Sequence, residues 1–97
     1  MEYRERVSID VFNKYLEIKQ DILSNLKEVF LRPNYYTRKY RGNLNTEINV
    51  AVSENDFREH SVQIFVRHDG VYIIDNMLYD SKGLKESKIR TNISDYE

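Results

Sequence analysis

The chain has 97 residues, no cysteine, only four glycines and prolines together, and a formal net charge of −1. That length makes one domain with a single core, and the missing cysteines exclude disulfides, thiolate nucleophiles and every cysteine-containing zinc site, while fitting a reducing compartment. Charged residues at 32% and apolar ones at 40% argue for compact structure rather than a disordered linker, and no window approaches the roughly 20 apolar residues of a membrane span.

The N-terminal run Met-Glu-Tyr-Arg-Glu-Arg lacks the apolar stretch of a signal peptide, so a soluble, cytoplasmic protein without membrane contact is expected. Ser8 reads as an N-cap with Asp10 in the first turn, and an amphipathic helix is expected from about Ile9 to Phe30 or Leu31, stopping before Pro33. On it Val11, Tyr15, Ile18, Ile22, Leu26 and Val29 form one apolar stripe. Phe12, Leu16, Leu23 and Phe30 form a second beside it. Lys19 falls angularly between the two. Its stem either lies along apolar surface with the ammonium reaching water, or it marks the seam where the second stripe meets a C-terminal segment or another chain. On the latter reading Phe12, Leu16, Lys19, Leu23 and Phe30 form a self-association surface and the protein is a homodimer.

The next segment, Leu31 to Asn43, gathers Arg32, Arg38, Lys39 and Arg41 among Tyr35, Tyr36 and Tyr40, with no acid between Glu28 and Glu47. This island carries +4 of a chain whose net charge is −1, leaving −5 elsewhere. Clustered cations with interleaved rings suit a polyanion with flat bases and equally a protein hot spot. The structural alternative is an edge strand, around Tyr35 to Arg41, whose charges protect it from aggregation.

After the island the apolar period changes to two. Strands are expected from Thr46 to Ser53, Ser61 to Arg67 and Val71 to Asn76, the first two separated by a polar loop and the last two joined by His68-Asp69-Gly70. Ile22 and Leu26 should pack on Val50, Ile64 and Ile73. Phe65 and Arg67 point to the other face, with Tyr72 or Ile74 near Phe65 across the hairpin. Aromatics so placed either stack single-stranded bases, as in the RNA-recognition motif, or lie under a second layer. Asp80-Ser81-Lys82-Gly83 reads as a turn, Leu84 to Ile89 as a short helix, and residues 90–97 as a polar tail. The fold class is therefore α+β: one long N-terminal helix packed on a three- or four-stranded antiparallel sheet, with a short C-terminal helix or tail.

The order helix, strand, strand, strand is similar to that of the double-stranded-RNA-binding domain. The segment after the third strand, mixing Asp80 and Glu86 with Lys82, Lys85 and Lys88, is too short and too mixed for that family's basic second helix, so the likeness covers topology and carries no residues over. Catalytic templates fare no better. His60 and His68 bracket one strand and stand too far apart to share a metal. Acid-x-Lys triplets of the nuclease type occur at Glu17, Asp80 and Glu86, a recurrence expected by chance in so charged a chain, and Ser61 has no nucleophile-elbow context. A non-enzymatic module without cofactor or metal is expected. It binds nucleic acid or a nucleic-acid-handling complex through Arg32, Tyr35, Tyr36, Arg38, Lys39, Tyr40 and Arg41, adjoined by Phe65 and Arg67. The alternative is an inhibitor, encoded by a phage or other mobile element, that blocks a host defence complex by protein contact. The AT-rich coding implied by abundant Asn, Ile, Lys and Tyr permits that alternative.

Overall fold

A computed structural model describes residues 3–54 and 58–92 of the chain. Part of the expected polar loop, 55–57, and the end of the expected tail, 93–97, lie outside the described residues.

The first helix, α1 (Tyr3–Ser24), buries Val7, Val11, Tyr15, Ile18 and Ile22, the first of the two stripes. It begins earlier than the sequence suggests, and Ser8 is not a cap: its hydroxyl lies inside the helix and donates to the Arg4 carbonyl at 2.9 Å. The helix breaks at Asn25. There the side-chain amide donates to the Asp21 carbonyl at 2.8 Å and the backbone N–H turns to the Ile22 carbonyl at 3.1 Å, so the side chain competes with the regular ladder. A second short helix, α2 (Leu26–Leu31), buries Val29.

Pro33 then opens a third helix, α3 (Pro33–Lys39), at the position where a missing N–H costs nothing. The preceding Arg32 leaves the helical region, at φ −136° and ψ 66°, because proline disfavours a helical residue before it. Most of the basic island is thus a helix and not the edge strand expected as the alternative around Tyr35 to Arg41. Tyr36 and Tyr40, four apart, share one face and enter the core, while Arg38 and Lys39 sit in the last turn, where positive charge complements the helix dipole.

The chain turns back through Gly42 and Asn43 into a four-stranded antiparallel meander: β1 (Thr46–Glu54), β2 (His60–His68), β3 (Val71–Asp80) and β4 (Gly83–Thr91), ordered β1-β2-β3-β4. A Cβ on Gly42 would lie 2.2 Å from the Thr46 carbonyl oxygen, so only glycine lets the two backbones meet there. Between β2 and β3, Asp69 (φ 48°) and Gly70 (φ 79°) both adopt positive φ, the pattern of a two-residue hairpin turn matched to strand twist. The registers His68↔Val71 and Ile64↔Asp75 follow from that turn. The expected short helix at Leu84–Ile89 is instead β4, which pairs with β3 from Ile73↔Thr91 to Asp80↔Gly83 with an irregularity between Leu78 and Tyr79. Arg90 and Thr91, expected in the tail, belong to it.

All three helices lie on one face of the sheet. Val50, Val62, Ile64, Val66, Val71, Ile73, Met77 and Tyr79 point toward them and join the helical residues in one core, with Leu26 packed at its margin. No helix among the described residues is long and apolar enough to cross a membrane.

One charge sits inside this core. Asp75 occupies an inward position of β3 and is fully buried. Its Oδ2 accepts from the Tyr15 hydroxyl at 2.6 Å and the Lys19 ammonium at 2.9 Å, and its Oδ1 accepts from the Ser87 hydroxyl at 2.7 Å. Lys19 also lies 3.0 Å from the Tyr15 hydroxyl. The ammonium therefore turns inward to a carboxylate, which neither sequence reading of Lys19 anticipated. On the other flank of α1, Asp21 reaches α3 and accepts from Lys39 at 2.7 Å and from the Tyr40 hydroxyl. Polar ties thus hold α1 to β3 and β4 through Asp75, to α3 through Asp21, and to the β2–β3 turn through the Tyr3 hydroxyl, which donates to Asp69.

Candidate functional site

The residues expected to form one basic aromatic surface separate into three groups. Tyr36 and Tyr40 are 1% and 7% exposed, so they are core residues and not contacts for a ligand. Arg32, Tyr35, Arg38 and Lys39 remain together and, with Asn34, line a shallow hollow of about 470 Å³ on α3. Arg41 turns elsewhere, into a cleft beside Asp10, Lys14 and His68. Within the α3 group, Arg32 lies 3.8 Å from Glu28 and Lys39 is bound to Asp21, while no acid pairs with Arg38 among the described residues. Lys39 also stands 5.6 Å from the Tyr35 ring centre and 5.3 Å from that of Tyr40, within cation–π range.

Electrostatics mark Asp21 as the hub of this corner. Hydrogen bonds from Lys39 and then Tyr40 hold its carboxyl below the ordinary aspartate range, against a smaller opposing effect of burial. Burial, reinforced by the bond to Asp21, pushes the Tyr40 hydroxyl up to about 12. The hydrogen bond to Asp21 likewise raises Lys39. One of the four cations that made the island conspicuous in the sequence, Lys39, is therefore engaged in holding α3 to α1.

The bare face of the sheet is the second surface. The inward residues of β1, β2 and β3 meet helices, and their neighbours along each strand form, with the outward residues of β4, an outer face that no element covers among the described residues. Register places Asn49, Phe65, Ile74 and Arg90 in one row across the four strands, Glu47, Arg67 and Tyr72 in the next, and Ala51, Gln63, Asn76 and Lys88 on the other side. Phe65, Arg67, Tyr72, Ile74 and Arg90 converge around one shallow hollow of about 300 Å³. Phe65, Tyr72 and Ile74 are half-buried, which fixes their side chains while leaving part of each open. Arg67 is oriented by Glu47 on the neighbouring strand at 2.5 Å. Arg90 is the member that sequence reading misses, because it falls in the expected tail; recognising β4 as a strand would have aligned it with Phe65. Chemically, this face offers flat apolar surfaces between guanidinium groups.

The expected self-association stripe also divides. Phe30 stacks on His60 with ring centres 4.0 Å apart and meets Tyr79 at 5.9 Å, so it is occupied within the chain. Lys19 is bound to Asp75. Phe12 and Leu23 remain 45% and 40% exposed, with Leu16 half-buried between them.

Among the described residues, no group of three or more histidines and carboxylates is placed to hold a metal ion. Asp80, the acid of one nuclease-like triplet, uses its carboxylate to accept the Lys82 backbone N–H at 2.8 Å in the β3–β4 turn. No family model, no curated protein and no solved structure matches this chain.

Proposed function

We propose that the chain is a non-enzymatic module that binds single-stranded nucleic acid on the bare sheet face. The observation that carries the reading is the convergence of Phe65, Tyr72, Ile74, Arg67 and Arg90 around one hollow. Phe65 and Tyr72 occupy diagonal positions on adjacent strands, about 7 to 8 Å apart by sheet geometry, so successive unstacked bases can each meet a ring. Arg67, Arg90 and Lys88 supply the phosphate-facing charge. Glu47 and Glu86 offset part of it, which favours modest affinity and a salt slope of about 0.7 log unit for each of these cations that meets a phosphate. Because α3 packs on the edge strand β1, a strand running off the face over that edge meets a second set of cations that includes Arg38.

Titration of labelled single-stranded and duplex oligonucleotides at low salt tests this. Single strands should bind more tightly, Phe65→Ala and Tyr72→Ala should each cost about 1 to 3 kcal/mol of binding, and Arg90→Ala should reduce the salt slope by about 0.7 log unit. Absence of binding at tens of micromolar protein ends the reading. Partners retained from a lysate after nuclease treatment would point instead to protein contact.

A further inference from the structure

The helical layer is lopsided. α3 covers β1 and α1 covers β2 and β3, but among the described residues no helix covers β4 in the same way. The flank of α1 that faces β4 is identified by Lys19, whose tie to Asp75 continues to Ser87 on β4. Phe12, Leu16 and Leu23 share that flank, whereas Asp21, on the other, reaches α3. Beneath the flank, the inward side of β4 leaves Leu84 and Ile89 exposed at 46% and 50%. Four of the nine exposed large apolar side chains among the described residues thus lie either on this flank of α1, Phe12 and Leu23, or on the inward side of the uncovered strand, Leu84 and Ile89. Single exposed apolar residues mean little, but a group beside an open strand marks a contact.

We infer that β4 is the dimer edge, pairing antiparallel with β4 of a second copy across a two-fold axis at Ser87. The occupant is argued from charge. With Ser87 facing Ser87, Glu86 of each copy stands opposite Lys88 of the other on the same face of the sheet, giving two opposite-charge pairs. The neighbouring two-fold registers oppose like charges instead. Centring on Lys85, Glu86 or Lys88 sets that residue against itself, and centring on Ile89 sets Lys88 against Arg90. In the single chain Glu86 and Lys88 already lie 3.1 Å apart along their own strand, so dimerisation exchanges one partner for an identical one. The alternating charges that commonly keep an edge strand solitary are here self-complementary. The resulting eight-stranded sheet brings the two uncovered inward sides together and shields Leu84 and Ile89 of both copies from water. This inference is independent of the nucleic-acid reading.

Sedimentation equilibrium with charge-swapped variants tests it. The wild-type protein should have twice the 11.7 kDa chain mass at high micromolar concentration. Glu86→Lys and Lys88→Glu, each of which turns both attractive pairs into repulsive ones, should raise the dimer dissociation constant about tenfold or more. An equimolar mixture of the two variants should restore the dimer, since the two lysines of the first variant then face the two glutamates of the second, and that rescue excludes misfolding as the cause. A monomeric wild type, a dimer indifferent to either reversal, or a mixture that stays monomeric would overturn the inference.

Discussion

Lys19 and Asp75 are not equivalent halves of their ion pair, and substituting each in turn should reveal it. Asp75 is fully buried, whereas the Lys19 side chain keeps 19% of its surface in contact with solvent. Lys19→Met leaves the carboxylate inside the core with its two neutral donors, Tyr15 and Ser87, but no countercharge. Breaking a buried pair in this way costs about 3 to 5 kcal/mol, and the remaining hydrogen bonds favour the lower end. Asp75→Asn keeps an acceptor for the hydroxyls and frees an ammonium that can swing to water, at a cost of about 1 to 3 kcal/mol. The double variant carries no charge there and should be more stable than the sum of the single effects by about 0.5 to 3 kcal/mol.

Urea unfolding followed by circular dichroism at neutral pH measures all three. For a domain of this size the Lys19→Met loss corresponds to a fall in Tm of about 12 °C or more. The pH dependence follows the same network. Burial and the bond to Asp75 raise the Tyr15 hydroxyl above its ordinary 10.0, and although burial lowers Lys19, its bonds to Tyr15 and Asp75 carry it above 10.5. Both groups hold their proton more tightly when folded, so their contribution is complete below about pH 10 and lost as pH rises through the folded values. The double variant should therefore unfold less steeply with alkali. Asp75→Asn costing as much as Lys19→Met, or additive single effects, would refute the reasoning.

Three further outcomes are expected. Gly42→Ala should destabilise, because its Cβ meets the Thr46 carbonyl and the Glu47 Cα, and nuclear magnetic resonance should locate the shifts at the start of β1. Asp21→Asn should flatten the acid limb of the stability profile: the carboxyl titrates below its ordinary 3.8, so its contribution is complete above that value and disappears as pH falls through the folded one. Ile64→Ala, at the centre of the core, should cost about 2 to 5 kcal/mol in the same urea assay.

The legible parts of the fold were those in which one physical signal dominated. The α1 stripe, the β2–β3 alternation and the Asp69-Gly70 turn each combine periodicity with a special residue, and the observed elements follow them closely. The two misread segments lack that agreement. β4 carries only Leu84 and Ile89 as apolar inward residues, and the irregularity near Tyr79 shifts its phase, so its alternation is masked. In the island, the four-residue spacing of Tyr36 and Tyr40 is helical and belongs to the core, but one such pair among four cations is a weak periodic signal. Asp75 was hidden for another reason. It shares the inward parity of Ile73 and Met77, but a carboxylate there is intelligible only once Lys19, distant in the chain, is known to overlie it. The bare sheet face was half readable: Phe65 and Arg67 followed from β2, while Arg90 needed the fourth strand.

The meander has a consequence for the order in which the molecule assembles. Every strand pairs with its neighbour in sequence, so the sheet grows by short loop closures, whereas the bonds from α1 to Asp75 span 56 and 60 residues. Long closures carry the larger entropic cost and come late unless something local prepares the target. The Asp69-Gly70 hairpin is that preparation, since β2 and β3 form the surface on which α1 lands. During synthesis α1 emerges before the sheet it packs on, so its apolar stripe stays uncovered until this hairpin exists, and a change that weakens the Asp69-Gly70 turn should slow folding more than one that removes the late-forming bonds to Asp75.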